Sequence, residues 1–234
     1  MAVLQPDMHN RLLKRLSADD FALVGPHLDA VDLDLLDGLE EPGERIKHVY
    51  FIETGFASVV AESLTGRQIE IGLIGSEGMT GTAIILGNNS PPLQTYVQVA
   101  GSALRMSAAK LRAVMKQSDT LSALLLRYVQ AMMMQTAQTA YANAVGLVEQ
   151  RLARWLLMAD DRCDDGGIRL THEFLSIMLG IRRTGVTESL NDLQRQGLIA
   201  TSRGRVEVLK RRALTAKAGV HYGAPEAEYR RLIG

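Results

Sequence analysis

Residues 171–193, THEFLSIMLGIRRTGVTESLNDL, decide the fold of the C-terminal part of the chain. Before the first glycine of this stretch, apolar residues recur at helical spacing behind Thr171, a residue type that favours the N-cap position. Gly180 then interrupts the pattern, as the short turn between two crossed helices requires. After the turn, Val186, Leu190 and Leu193 form a second apolar stripe at helical spacing. The spacing therefore predicts a helix-turn-helix.

The start of the second predicted helix leaves a polar outward face, which carries Arg182, Arg183, Thr184, Thr187 and Glu188. Such side chains can exchange hydrogen bonds with base edges in the major groove of DNA. Downstream, alternating stretches at residues 199–201 and 205–208 flank Ser202-Arg203-Gly204 and predict a hairpin with a basic tip. A hairpin of this kind is typical of a wing that lies against the phosphate backbone. A surface helical hairpin with no nucleic-acid partner is the alternative.

Residues 171–209 resemble the winged helix-turn-helix of the Crp/Fnr superfamily of bacterial transcription regulators. The resemblance implies a homodimer that places one helix of each protomer in successive major grooves of a near-palindromic site in double-stranded DNA, with RNA polymerase as a further partner. It implies base contacts from Arg183, Thr184 and Glu188. A phosphate contact is expected from Arg182, which stands where the family often has Ser or Thr. Contacts to the DNA backbone are implied for Thr171, His172, Ser202, Arg203 and Arg205.

From residue 31 the hydrophobic period changes to short alternating stretches. Glycines separate these stretches at positions 43, 55, 66, 75, 87 and 101, which favours a barrel, roll or sandwich. The segment resembles the double-stranded β-roll, a jelly roll, of cyclic-nucleotide-binding domains. The resemblance rests on Pro42-Gly43-Glu44, on HVYFIETG at residues 48–55 and on GSEGMTG at residues 75–81. The expected fold class is α+β: this roll, a long helix and a C-terminal winged helix-turn-helix.

The phosphate-binding cassette departs from the pattern of that family. Members that bind cyclic nucleotides have a Glu after the glycine and an Arg further on, whereas this chain has Thr82 and then no Lys or Arg before Arg105. A pocket without a cation desolvates a phosphate without forming a charge-assisted bond, so cAMP is not the expected effector. No cofactor or metal is predicted, and the cup holds an unknown small molecule, holds nothing, or acts only as a dimerisation scaffold. The candidate pocket residues are Gly81, Thr82, Ala83, Gln94, Thr95, Gln135 and Thr139.

Residues 119–144 contain no Gly or Pro and predict one long helix, about 39 Å at 1.5 Å per residue. Six residues of this helix fall at alternating steps of four and three: Leu121, Leu125, Tyr128, Met132, Gln135 and Thr139. Such a repeat is typical of a coiled-coil seam, and the family resemblance also favours dimerisation here. We therefore expect the first five of these residues to form a dimer interface. A core helix packed inside the monomer is the alternative.

The length of 234 residues allows two ordinary domains, and the break at residues 143–146 predicts the hinge between them. The predicted units are the roll at residues 1–116, the dimerisation helix at 117–145 and the DNA-binding domain at 146–234. Residues 1–145 carry 11 Lys and Arg against 15 Asp and Glu, and residues 146–234 carry 15 against 11, so the formal charges are −4 and +4. Only residues 146–234, with their net positive charge, are suited to binding the phosphate groups of a nucleic acid. In the helix predicted at residues 148–159, Arg151 and Arg154 are expected to point outward.

The composition argues against several classes of protein. No apolar run approaches the length of a membrane span, and the first 16 residues lack the apolar core of a secretory signal, so a cytoplasmic protein without a membrane partner is expected. The single cysteine, Cys163, allows no internal disulfide. Residues 40–106 show no metal-ligand set and no nucleophile–base pair, so an enzyme is not expected. A ligand-sensing or protein-interaction module whose winged helix does not bind DNA stays open.

Overall fold

The computed structural model describes residues 5–163 and 167–234. The described chain begins with a 3-10 turn at Gln5–Asp7 and two short helices, α1 (Arg11–Lys14) and α2 (Ala18–Val24). Both helices start where a polar side chain accepts a bond from an unpaired backbone N–H. Asn10 accepts from the amide of Leu13, and Ser17 accepts from the amide of Asp20.

The N-terminal half is an antiparallel β-roll, as the sequence predicts. Its elements are β1 (Asp29–Leu33), β2 (Gly38–Glu40), β3 (His48–Glu62), β4 (Gln68–Ile74), the short helix α3 (Thr82–Ile85) and β5 (Gln94–Ser107). The strands are ordered β1-β5-β3-β4, and β2 also pairs with β5. The roll is followed by α4 (Ala108–Met115) and the long helix α5 (Asp119–Val145).

Two of the glycines interpreted as turn signals lie inside long strands instead. Strand β3 continues through Gly55, and β5 continues through Gly101. The register of the two strands shifts three times between Ile52 and Ala57. Gly55 has φ +70°, and a Cβ there would overlap the carbonyl oxygens of Val99 and Ala100. Both strands therefore bend without breaking, because glycine permits this backbone and this close approach.

The seam predicted for the long helix is wrong, because that face is already buried inside the protomer. Leu121, Leu125 and Tyr128 are at most 2% exposed, and they pack against the roll. Gln135 is 6% exposed and forms two hydrogen bonds with the backbone of Leu73 in β4, accepting from its N–H and donating to its carbonyl. Met132, the fourth predicted seam residue, packs against two hydrophobic clusters that include residues of the roll. The core helix is therefore the correct interpretation of this face.

The C-terminal half is a winged helix-turn-helix followed by two more helices. Its elements are α6 (Val148–Asp160), β6 (Ile168–Arg169), α7 (His172–Leu179), α8 (Arg183–Arg195), β7 (Ile199–Ser202), β8 (Arg205–Val208), α9 (Arg211–Ala218) and α10 (Ala224–Leu232). The three strands form a small antiparallel sheet ordered β6-β8-β7. Helix α9 packs on α6, and α10 packs on α5, so the C-terminal segment closes back onto the N-terminal half. The α+β class and the three-part architecture predicted from the sequence are confirmed.

The roll and the winged helix-turn-helix share one hydrophobic core. Phe56 of β3 meets Trp155 of α6 edge to face, with ring centroids 6.5 Å apart, and Tyr96 of β5 meets Phe174 of α7 at 6.2 Å. Arg154, expected to point outward, is 5% exposed, and its guanidinium donates to Thr139 of α5. The outward orientation is wrong for Arg154 because the face of α6 that carries it is covered by α5 and the roll. The division into residues 1–116, 117–145 and 146–234 stays a prediction.

A buried carboxyl group, Glu70 of β4, lies at the centre of this contact. It accepts hydrogen bonds from Trp155 Nε1 at 2.7 Å and from Ser58 Oγ at 2.6 Å. Burial raises the pKa of Glu70 to about 7, although the bonds from Ser58 and Trp155 lower it.

None of the helices in residues 5–163 and 167–234 combines the length and apolar character that a membrane-spanning helix needs.

Candidate nucleic-acid interface

The geometry of the helix-turn-helix follows from three residues at its joints. Thr171 caps α7, because its hydroxyl accepts a hydrogen bond from the amide of Phe174 at 3.1 Å. Gly180 ends α7 in the left-handed conformation, with φ +60°. Arg182 is the extended residue before α8, and its side chain forms no capping bond. It is therefore left available for a partner outside the helix.

Helix α8 buries one face and exposes the other, as predicted. Val186, Leu190 and Leu193 are at most 1% exposed and hold the helix on the core of the module. The opposite face presents four exposed polar side chains near the start of the helix: Arg182, Arg183, Thr184 and Glu188. Side chains in the first two turns of such a helix are those that can enter a major groove.

Two of the predicted DNA contacts, His172 and Thr187, are partly buried and bind each other. His172 Nδ1 lies 3.0 Å from Thr187 Oγ1, and the Thr187 hydroxyl also lies 3.1 Å from the carbonyl of Arg183, to which it donates. The pair therefore connects the start of α7 to the second turn of α8. This contact fixes the angle between the two helices and leaves less of each side chain for DNA.

The wing is a tight hairpin that exposes its basic residues. Ser202 of β7 pairs with Arg205 of β8, and Arg203 and Gly204 form the two-residue turn. Gly204, the second turn residue, has φ +69°, a conformation that glycine adopts without steric cost. Ser202, Arg203 and Arg205 are exposed. Within the described residues, the two arginines of the wing, Arg182 just before α8 and Arg183 at its start form no ion pair. All four charges are therefore free for phosphate or bases.

The start of α3, where the family resemblance places a cyclic phosphate, is occupied by a carboxylate of the protein itself. Glu40 Oε1 accepts from the N–H of Gly81 at 3.0 Å, and Glu40 Oε2 accepts from the Thr95 hydroxyl at 2.9 Å. Burial raises the pKa of Glu40, and the two hydrogen bonds lower it. The N–H of Gly81 at the start of α3 is therefore already used by a carboxyl group of the protein itself.

The candidate effector residues do not converge on one cavity. Gly81 and Thr95 meet at Glu40, Gln94 donates to the neighbouring Glu41, and Ala83 belongs to the core below α5. Thr82 is half-buried beside Ala83 on α3. Gln135 and Thr139 lie instead on α5, where they bind Leu73 and Arg154. The residues that the sequence interpretation missed are the acids Glu40 and Glu41, whose only signal is their position just before the Pro-Gly turn.

Comparisons with known proteins agree with this architecture. Residues 150–217 match the family model of the Crp-like helix-turn-helix domain. Over 180 residues the chain is 26% identical to the global nitrogen regulator of Nostoc sp., a match that covers 72% of this chain and 80% of that protein. The fold resembles that of a CRP-family transcriptional regulator from Thermus thermophilus, with a TM-score of 0.66 and 22% identity over 81% of this chain and 96% of that one. FixK2 from Bradyrhizobium japonicum gives a TM-score of 0.68 and 15% identity over 82% and 98% of the two chains.

Proposed function

We propose that this chain, a Crp/Fnr-like transcription regulator with a Crp-like helix-turn-helix domain, acts as a homodimer on a near-palindromic site in double-stranded DNA. The observation that carries the proposal is the exposed start of α8, where Arg183, Thr184 and Glu188 stand free beside a basic wing. The proposal includes a cytoplasmic location, RNA polymerase as a further partner and no catalytic activity. It names no effector, and cAMP is not the expected one.

A second face of α5 supports the dimer in place of the predicted seam. Seven exposed residues of this helix fall at alternating steps of three and four: Ala123, Leu126, Gln130, Met133, Ala137, Ala140 and Ala144. Leu126 is 49% exposed and Met133 is 67% exposed, which is unusual for large apolar side chains on one face. The repeat advances 21 positions from residue 123 to residue 144, about 32 Å at 1.5 Å per residue. Its period is that of a coiled-coil seam, and the alanines allow a second helix to approach closely.

Pairing along this stripe would give the two recognition helices a fixed separation. A dimer that uses two successive major grooves needs α8 and its partner copy to lie roughly 34–36 Å apart. Within each protomer the position of α8 is set by the shared core of the roll, α6 and α7. The seam and this core together supply the rigid connection that such spacing requires.

The DNA part of the proposal is tested by measuring how tightly three single variants bind DNA. The DNA sites are those that the wild-type protein selects from a pool of random sequences at fixed salt concentration. Arg183→Ala should weaken binding by about 1–3 kcal/mol, roughly 5- to 150-fold, and relax the preference at one base pair per half-site. Arg203→Ala should weaken binding to all sequences and lower the salt slope by about one. Arg195→Ala is the matched control, because Arg195 lies at the far end of α8 and pairs with Asp192.

If Arg183→Ala weakened binding equally on all sequences, Arg183 would not contact a base. If Arg203→Ala left the salt dependence of binding unchanged, the wing would not contact the DNA. Failure of the wild-type protein to enrich any site at moderate salt would favour the alternative, a ligand-sensing module that does not bind DNA.

The dimer part is tested by sedimentation of the Leu126→Glu/Met133→Glu variant. Burying two charges from each protomer in an apolar seam is costly, so the dimer should become a monomer. The monomer should stay folded, since both side chains are exposed in the protomer. Leu64→Glu is the matched control, because Leu64 is fully exposed in the β3–β4 hairpin, away from α5. A double variant that sediments as the wild type would contradict the seam.

A further inference from the structure

A cavity of about 620 Å³ lies between the roll and the winged helix-turn-helix. Ligand sites in proteins are typically about 300–1,000 Å³ in volume, so this cavity has room for a small organic molecule. The roll lines it with residues from the middle of β3 and β5, and the opposite wall comes from β6, the start of α7 and Arg205 of β8. The cavity is therefore separate from the start of α3, where Glu40 occupies the cassette, and from the exposed stripe of α5.

Much of the cavity wall is apolar on both sides. Leu35, Val99 and Ala100 line it from the roll, and Leu170 and Phe174 line it from the winged helix-turn-helix. Leu35, between β1 and β2, is 58% exposed, so the cavity has a large apolar side chain that a ligand can still cover. Such a wall favours a ligand with an apolar body, because covering it removes apolar surface from water.

The hydroxyl and amide oxygens of the wall are already engaged within the protein. The Thr54 hydroxyl lies 3.0 Å from the hydroxyl of Ser102, and Gln98 Oε1 accepts from Ser58 Oγ at 3.0 Å. The hydroxyl of Thr171 caps α7. A polar group of a ligand therefore has to find its partners among the remaining side chains of the wall.

Those remaining side chains include two arginines. Arg169 of β6 lies directly opposite Arg205 of β8, so both side chains are on the same face of the sheet, and both residues are exposed and line the cavity. The Arg205 side chain lies over Gly167, which also lines the cavity, because a Cβ on that glycine would come within 3.0 Å of Arg205 Nε.

The two arginines leave a positive charge that the cavity does not balance. Neither forms an ion pair within the described residues, and Glu207, two residues beyond Arg205 on β8, pairs with neither of them. None of the described residues that line the cavity is acidic. Like charges directly opposite each other on a sheet destabilise it, and an anion between the two guanidinium groups would remove this repulsion.

We infer that this cavity binds an amphipathic carboxylic acid, with its carboxylate on Arg169 and Arg205 and its apolar body against Leu35, Val99 and Phe174. A guanidinium pairs with a carboxylate in the fork geometry that both groups prefer. A carboxylate is favoured over a phosphate ester, because bringing a second negative charge to a largely apolar wall costs more desolvation. A neutral alcohol of the same length would leave both arginines without a counter-charge.

The position of the cavity connects its ligand to both halves of the chain. A ligand here touches β3 and β5 of the roll and holds Arg205, which is also one of the predicted DNA contacts of the wing. Binding of the acid is measured without DNA, so this inference and the proposed DNA contacts can fail separately.

The test is a calorimetric titration of the full-length protein with decanoate, kept below the concentration at which it forms micelles. Decanoate should titrate to saturation with one molecule per protomer and should raise the Tm. Decanol, which lacks the carboxylate, and acetate, which lacks the apolar chain, should each bind at least about ten-fold more weakly. Absence of decanoate binding, equal binding of decanol, or tighter binding of decyl phosphate than of decanoate would overturn the inference.

Two variants with matched controls locate the site. Arg169→Ala should weaken decanoate binding by at least about ten-fold through loss of a charge-assisted bond, and Leu35→Glu should do so by placing a negative charge on the apolar wall. Both residues are exposed, so both variants should fold. The controls are Arg212→Ala and Leu36→Glu, because Arg212 and Leu36 are exposed and do not line the cavity. Decanoate that binds Arg169→Ala as tightly as the wild type would lie elsewhere and contradict the assignment.

Discussion

Replacing Glu70 with glutamine should change how the stability of the protein depends on pH. Glu70 is buried between β4 and α6, and its pKa is raised from 4.5 to about 7 by that burial. In the unfolded chain the carboxyl group ionises near its ordinary pKa, whereas in the folded chain it stays protonated up to about pH 7. The contribution of Glu70 to the free energy of unfolding is therefore fully present below pH 4.5, and it is lost as the pH rises towards 7.

The size of the effect follows from the shift. A shift from 4.5 to about 7 corresponds to roughly 3 kcal/mol at 1.36 kcal/mol per unit. The Glu70→Gln side chain would have no charge at any of these pH values, and its amide oxygen could still accept from Trp155 Nε1 or from Ser58. The free energy of unfolding of the variant, minus that of the wild type, should therefore rise by about 3 kcal/mol between pH 4.5 and 7 and then stay level.

Urea unfolding of both proteins at half-unit steps from pH 4.5 to 8 measures this difference. Every other titrating group is common to the two proteins, so the difference isolates residue 70. Glu207→Gln, which removes an exposed carboxylate from the wing, is the control for the loss of a carboxylate as such. A difference that is flat with pH, or that falls as the pH rises, would refute the reasoning, because it would mean that the folded protein tolerates an ionised Glu70.

Three further substitutions test the local geometry by their effect on the free energy of unfolding in urea. Gly81→Ala should destabilise the roll by about 1–3 kcal/mol, because Gly81 has φ +88° and a Cβ there would overlap Val49; Gly87→Ala, at φ +87° with no atom nearby, separates backbone strain from overlap. Thr171→Ala should cost about 1 kcal/mol through loss of the α7 cap, and Thr171→Ser should restore most of it. Tyr128→Phe should cost about 1–3 kcal/mol, because the hydroxyl binds both the N–H and the carbonyl of Met79; an unchanged stability would show that these bonds contribute nothing.

The DNA-binding module could be predicted closely from the sequence because its signals are local. A capping threonine, a left-handed glycine and two apolar stripes lie within 23 consecutive residues, and each acts through its immediate neighbours. The structure places Gly180 at φ +60° and buries Val186, Leu190 and Leu193, as this pattern requires. The partial burial of His172 and Thr187 could not be predicted, because it depends on the angle at which the two helices cross.

The buried charges could not be predicted, because each is created by contact between segments far apart in the chain. Glu70 is separated by 85 residues from Trp155, and Glu77 by 85 residues from Arg162. In β4 the alternation indicates a strand but not what covers its second face, which here is the DNA-binding module. The burial of Arg154 could not be predicted for the same reason. A polar residue in an amphipathic helix points to solvent unless another element supplies a partner, as Thr139 of α5 does here.

The long helix α5 shows why a repeat can be identified correctly and assigned to the wrong partner. Two heptad stripes run along this helix on different faces, and spacing alone fits both. The stripe with Tyr128 and Gln135 carries groups that need hydrogen-bond partners when buried, and the backbones of Met79 and Leu73 supply them within the protomer. The stripe with Leu126, Met133 and four alanines contains one polar residue, Gln130, and lets two backbones approach closely. The chemistry of the side chains, rather than their period, therefore separates a face suited to the roll from a face suited to a second copy of the same helix.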